Sequence, residues 1–279
     1  MKKALTYLGQ AWLLFCTALV CLFLGIILFQ LFSQGSGSIS WEFLTEIPTQ
    51  GLTKGGILPA ITGTVLLTFL TVIFAVPFGI GGALYLNEYS GNSSVTGWVR
   101  ASIRNLAGVP SVIYGLFGLA LFVQSLHFGT SVFSAGLTLG LLSLPYIITS
   151  TEEALKNIPV STREASMALG ATQFETIRHL LLPQATPGIL TGVILSVSRA
   201  AGETAPILFT GAAFYTSYAR SGLSEEFMAL PYHLYMLSTQ HQMIEEVRPL
   251  AYGTAVVLIS LVFLLNLAAI WIRYRSRTS

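Results

Sequence analysis

Along the 279-residue chain, polar and apolar positions separate into long blocks and do not alternate at the period of a strand or a half-buried helix. Residues 11–33 carry no charge, and a run of ~20 apolar residues is enough for a helix to cross a ~30 Å hydrocarbon core. The uncharged run 55–87 is longer than a crossing needs, and Pro77, Gly79, Gly81 and Gly82 near its end predict a tilted or bent span. Residues 105–151 are uncharged for too long to be one helix, so Ser125, His127, Gly129 and Thr130 mark a turn between a third and a fourth span. Residues 184–210, interrupted by Arg199 and Glu203, form a fifth, and 249–272 a sixth. The pattern predicts an all-α integral membrane protein with six transmembrane helices, one domain over 1–279 with its core spans in 55–272. Gly136 with Gly140, and Gly188 with Gly192, predict close helix packing.

Charge sets the orientation. Only 9% of residues are charged, against about a quarter in a soluble domain, and mean hydropathy is +0.71, so the bilayer is the main solvent. Of 14 basic residues, ten (Lys2, Lys3, Arg100, Arg104, Lys156, Arg163, Arg178, Arg273, Arg275 and Arg277) fall on one face of this layout. Lys54, Arg220 and Arg248 fall on the other, among Glu42, Glu46, Glu225, Glu226, Glu245 and Glu246. The positive-inside rule then makes both termini cytoplasmic. The first run exceeds the ~7–15 residues of a signal-peptide core, which predicts a retained span. Cys16 and Cys21 within it read as packing residues. A short helix is expected after Ser224 in the outer segment 211–248, with Glu225 and Glu226 in its first turn. A net charge of +2 without a basic, aromatic-interleaved patch gives no footing for nucleic acid.

The cytoplasmic loop 152–183 is punctuated as two short helices. Ser161 with Glu164, and Thr172 with Glu175, have capping-box spacing. Gly170 supplies a left-handed stop between them, and Pro183 is where the second helix is expected to stop or bend. Ala165, Ala168 and Leu169 share one side of the first helix, and Phe174, Ile177 and Leu181 one side of the second. From this pattern alone, a hairpin folded on its own bundle and one docked in a partner's groove are equally good readings.

Glu164, Ala165 and Gly170, followed by Ile177, Leu182 and Pro183, resemble the EAA loop of ABC importer permeases, with Ser166 in place of the second alanine. GVPSVIYG over 108–115 and RAAGETAP over 199–206 resemble the phosphate-importer permeases, of the PstA type more than its PstC partner. The resemblance implies a type I ABC importer permease fold in the bacterial inner membrane. It also implies that Glu164, Ala165, Gly170, Ile177 and Pro183 form the element that couples to an ATPase. The partners it implies are a homologous permease in a heterodimer, two ATPase subunits and a periplasmic or extracellular phosphate-binding protein.

The residues agree with a transport subunit rather than an enzyme. No lysine follows a glycine, so no P-loop is present and ATP is expected on a partner chain. The chain has no aspartate, and His127, His179, His233 and His241 are scattered without metal spacing, so they read as polar loop residues and no bound cofactor or metal is expected. Arg199 and Glu203, four apart, share a helix face and are the charges well inside a span. Either they are a structural pair or they line a path in which the guanidinium fork meets an oxyanion, with Thr204 offering a hydroxyl beside a bend at Pro206. One such pair does not select phosphate over another tetrahedral oxyanion. A gradient-driven anion transporter is the reading from another class, and the capped loop and absence of an inverted repeat speak against it.

Overall fold

Each apolar run is helical for most of its length in the computed structural model, which describes residues 2–91, 93–215 and 222–277. Helix α1 is Lys2–Gly35, α2 Trp41–Thr45 and α3 Leu58–Leu84, the last extended by a π turn Tyr85–Tyr89. Then come α4 (Ser94–Leu106), α5 (Ser111–Gly118) with a π turn Leu119–Ser125, and α6 (Val132–Lys156). The cytoplasmic loop holds α7 (Val160–Ala168) and α8 (Gln173–Thr176), and a π turn Ile177–Leu181 joins α8 to α9 (Leu182–Gly202). Helices α10 (Ala205–Thr210), α11 (Leu230–Tyr235) and α12 (Ile244–Arg277) complete the described residues. Five helices are long and apolar enough to cross a membrane, and the pair Ser94–Leu106 with Ser111–Ser125, bent by 103°, raises the count to as many as six.

Two predicted spans are broken. The third does not run on from 105, because Pro110 has no N–H to donate and disfavours helical geometry at Val109, so the chain turns sharply between α4 and α5. The fifth is cut where a bend was expected. Glu203 is extended (φ −74°, ψ 127°), which takes the ring of Pro206 away from the carbonyl of Gly202. Pro183, conversely, does not stop its helix. The π turn before it shifts the hydrogen-bond ladder, and Pro183 falls in the first turn of α9, where its missing N–H costs least, so Gln173–Gly202 forms one span.

Three smaller expectations also change. α7 begins after Pro159 with no side-chain cap, so Ser161 and Glu164 form no capping box, whereas Thr172 and Glu175 do. No helix follows Ser224, and the outer segment becomes helical at Leu230, with Pro231 in the first turn of α11. Arg220 lies outside the described residues. Cys16 and Cys21 are exposed on α1 instead of packed.

Helix α6 is the most buried of the described candidate spans and the axis of the bundle. A Cβ on Gly136 would stand 2.9 Å from Leu70 Cβ of α3, and one on Gly188 2.6 Å from Ala154 Cβ, so the predicted glycines let α3 and α9 close on α6. Gly35 at the end of α1 lies against Tyr252 near the start of α12, so the two run antiparallel and the beginning of the one and the end of the other lie on the same face.

Candidate functional site

Arg199 sits in the last turn of α9, where a cation also suits the negative end of the helix dipole. Its Nε donates to Glu203 Oε1 at 3.1 Å across the break, and its Nη1 donates to the hydroxyl of Tyr146 on α6. The guanidinium carbon also lies 4.8 Å from the centroid of the Tyr146 ring, within cation–π range. Tyr146 in turn donates to the carbonyl of Ala107 at 2.7 Å, beside the other break, so one side chain ties the two interruptions together. A second tyrosine, Tyr114 on α5, donates to the carbonyl of Leu106 at 3.0 Å. The Tyr146 hydroxyl thus serves a carbonyl that the end of α4 leaves without a helical partner, while that of Tyr114 adds a second donor to the Leu106 carbonyl, which also accepts from the N–H of Val109 at 3.1 Å.

The Arg199 side chain is 46% exposed and that of Glu203 16%, so the pair is not sealed inside the bundle. Arg199 and Tyr146 instead line a cavity of about 520 Å³ between α4, α6 and α9. Its volume is in the range of ordinary small-ligand sites, ~300–1,000 Å³. Thr204 stands at the start of α10 without a side-chain cap bond and does not line this cavity.

At the cytoplasmic end, the loop residues divide into an outward and an inward set. Gly170 adopts φ +90° and ends the first helix in the left-handed region, as its spacing predicts. Glu164, Ala165 and Pro183 are exposed, whereas Ile177 is buried with Leu155, Leu181 and Ala185 and packs the loop onto its own bundle. The outward set is strongly apolar: Leu169 is 90% exposed, Val160 65% and Phe174 60%. Sequence reasoning missed how the loop is fixed in place. Arg163 of α7 reaches Glu88 in the π turn after α3 at 3.0 Å and donates to the carbonyls of Leu155 and Ile158 at 2.8 Å each. Gln173 donates to the carbonyl of Glu88 at 2.6 Å. Arg100 makes a parallel tie from α4, to Glu152 at 2.9 Å and to the carbonyl of Leu86. The available signal was scarcity: in a chain with 9% charged residues, an Arg and a Glu at the ends of spans need partners. Among the described residues no group of three or more His, Cys, Asp or Glu converges to hold a metal.

Known proteins resemble the chain across this architecture. The profile of the family described as binding-protein-dependent transport system inner membrane component matches residues 75–277, which include both breaks and the cytoplasmic loop. A probable ABC transporter permease protein of Bacillus subtilis, YqgI, is 30% identical over 268 residues, covering 92% of this chain and 91% of the relative. The phosphate transport system permease protein PstA of Xylella fastidiosa is 34% identical over 239 residues (86% and 82%). PstA 1 of Mycobacterium tuberculosis is 36% identical over 224 residues (79% and 71%). Among solved structures, a bacterial ABC transporter involved in the import of alginate aligns over 96% of each chain with a TM-score of 0.65 at 15% identity. The MetNI methionine ABC transporter aligns over 79% of this chain with a TM-score of 0.62 at 20% identity, and both likenesses bear on the fold alone. With its five to six candidate spans, the molecule is a multi-pass protein of the bacterial inner membrane with the type I ABC importer permease fold. The chain belongs to the family of binding-protein-dependent transport system inner membrane components.

Proposed function

We propose that this permease subunit forms half of a phosphate path in an ATP-driven importer, with Arg199 as the group that meets the anion. The observation that carries the reading is the placement of Arg199: beside two broken helices, half exposed, on the wall of a cavity. Broken backbone at membrane depth is tolerated where it lines a cavity, and an intramembrane Arg in such a place marks a pathway more often than a strut. Glu203 takes Nε and leaves part of the guanidinium fork open, which keeps an oxyanion from being held too tightly to leave. Thr204 serves at the outer edge of the same break. Phosphate is the substrate named for the PstA relatives, which cover most of the chain.

The whole chain acts as one permease domain in this reading. Its exposed Val160, Leu169 and Phe174, framed by Glu164, Ala165 and Gly170, dock in a groove of an ATPase subunit, which hydrolyses the ATP. Ile177 and Pro183 support that surface from behind. A homologous permease completes the path, two ATPase subunits sit inside, and a phosphate-binding protein delivers from outside. Membership in a binding-protein-dependent family favours this over a gradient-driven transporter. Radiolabelled phosphate uptake by the assembled complex tests the site. Arg199→Gln is expected to stop uptake while the complex still assembles, and Arg199→Lys to restore it only in part, because a point charge replaces a planar fork. Normal uptake by Arg199→Gln removes the residue from the mechanism.

A further inference from the structure

In the wall of the cavity below Arg199 lies a buried hydroxyl with no visible purpose in the fold. Helix α9 carries four hydroxyl side chains. Thr186, Thr191 and Ser198 each donate to the carbonyl four residues back, at 2.7 Å. Ser196 does not: it is 4% exposed, and its Oγ has no hydrogen-bond partner among the described residues. Buried hydroxyls left unpaired are rare in folded proteins. Ser196 lies three residues before Arg199, about 4.5 Å nearer the cytoplasmic end at 1.5 Å per residue, and lines the same cavity.

The opposite wall supplies a second cation. Arg104, in the last turn of α4, lines this cavity and makes no ion pair among the described residues, although Arg100 one turn earlier is paired with Glu152. Arg104, Thr149 and Glu153 also line a smaller cavity of about 100 Å³, which continues to Arg100, Glu152 and Lys156 at the cytoplasmic end of α6. The two cavities together are lined by four basic side chains (Arg100, Arg104, Lys156, Arg199) and two acidic ones (Glu152, Glu153). The excess in the lining as a whole is positive, and Arg104 is the basic side chain in it that has no ion pair among the described residues.

We infer that Ser196 and Arg104 form a second anion position below Arg199, at which a tetrahedral oxyanion is held by a hydroxyl donor and a guanidinium on its way to the cytoplasm. The inference rests on the reading of Arg199 as the entry to an anion path. Two positions a few ångströms apart suit transport, because an ion handed between weak sites leaves more readily than one held at a single strong site. Glu153 at the lower mouth moderates the second position as Glu203 does the first.

The test places a thiol at the position. Ser196→Cys is made in a chain whose native thiols are removed (Cys16→Ser, Cys21→Ser), and the full complex is treated with an anionic and a cationic methanethiosulfonate reagent of similar size. The anionic reagent is expected to react about tenfold faster, the lower end of what a charged, low-dielectric cleft gives. Added inorganic phosphate should slow it, and Arg104→Gln should abolish most of the preference while Arg104→Lys keeps it. In the native background, Ser196→Ala and Arg104→Gln should each reduce phosphate uptake several-fold with the complex intact. Equal reaction with both reagents, or a preference indifferent to Arg104→Gln, overturns the second position even if Arg199→Gln abolishes uptake. Normal uptake by Arg199→Gln overturns the path reading itself, so the two failures are distinguishable.

Discussion

The contact between Arg163 and Glu88 is the ion pair that ties the exposed cytoplasmic loop to the end of α3, beside the bond from Gln173 to the Glu88 carbonyl, and its loss has a magnitude that the structure sets. The two side chains are 16% and 9% exposed, and Arg163 also occupies the carbonyls of Leu155 and Ile158. Arg163→Met keeps most of the length and removes every donor, leaving the buried Glu88 carboxylate, to which Asn87 Nδ2 still donates, without a counter-charge, and taking one donor each from the carbonyls of Leu155 and Ile158. Breaking a buried pair from one side costs ~3–5 kcal/mol, and the partial exposure of Arg163 argues for the lower end, about 3. Glu88→Gln retains an acceptor and should cost less, ~1–2 kcal/mol. Removing both charges (Arg163→Met with Glu88→Gln) should recover part of the loss, because no unpaired charge stays buried. Thermal inactivation of the purified complex is the assay, with midpoints shifting ~2–4 °C per kcal/mol in chains of somewhat smaller size, or roughly 6–12 °C for Arg163→Met. The ratio of phosphate imported to ATP hydrolysed should fall in parallel, since the loop would move without α3. A shift within about 1 °C for Arg163→Met, or single-mutant costs that simply add in the double mutant, refutes the reasoning.

Two further outcomes follow from the geometry. Burial pushes His233 down to about 4, and its Nδ1 has no partner among the described residues, so between pH 6.5 and 4 the unfolded chain takes up a proton that the folded chain refuses. Its contribution is complete above pH ~6.5 and is lost at about 1.4 kcal/mol per unit as pH falls, a slope that His233→Gln should flatten in inactivation measured across that range. Tyr146→Phe removes both the cap on Ala107 and the acceptor of Arg199, whereas Tyr114→Phe removes only the cap on Leu106. Tyr146→Phe should cost ~1–3 kcal/mol of stability and Tyr114→Phe less, because the Leu106 carbonyl keeps the N–H of Val109, and phosphate uptake should fall markedly in the first alone; an equal fall in both would mean that Tyr146 does not orient Arg199.

The spans and the capped loop were legible because they depend on one-dimensional signals: uncharged length, Gly170 at a left-handed stop, and a Thr172–Glu175 box. The misses come from effects between neighbouring elements. Pro183 reads as a stop in isolation, and the π turn that absorbs it has no compositional mark. Pro206 reads as a kink, yet whether a helix bends or parts depends on what can satisfy the freed groups, here the N–H of Glu203 donating to the carbonyl of Ala200 at 3.3 Å. Ile177 and Phe174 look alike on a helical wheel, and only the packing of α9 against α6 decides that the first is buried and the second 60% exposed. His233 reads as a loop residue because the outer segment lacks a helical period, but α11 tucks it under α12 and α3.

The two breaks also explain each other. A carbonyl without a partner at membrane depth costs several kcal/mol, so an interrupted span survives only where side chains replace the missing ladder bonds. Ala107 is served by Tyr146, and Leu106 by the N–H of Val109 together with Tyr114; Tyr146 can reach Ala107 because α4 and α5 turn beside α6. The same hydroxyl then accepts from Arg199, which is brought within reach because α9 ends at Gly202 and does not carry its last turn past α6. If α9 and α10 were continuous, Pro206 would meet the Gly202 carbonyl. If α4 and α5 were continuous, the cavity below Arg199 would lose the wall that supplies Arg104. Two interruptions that are each unfavourable alone together build a largely apolar recess against α6 with a few polar side chains on its wall, and the guanidinium is placed there by the groups that make the breaks tolerable.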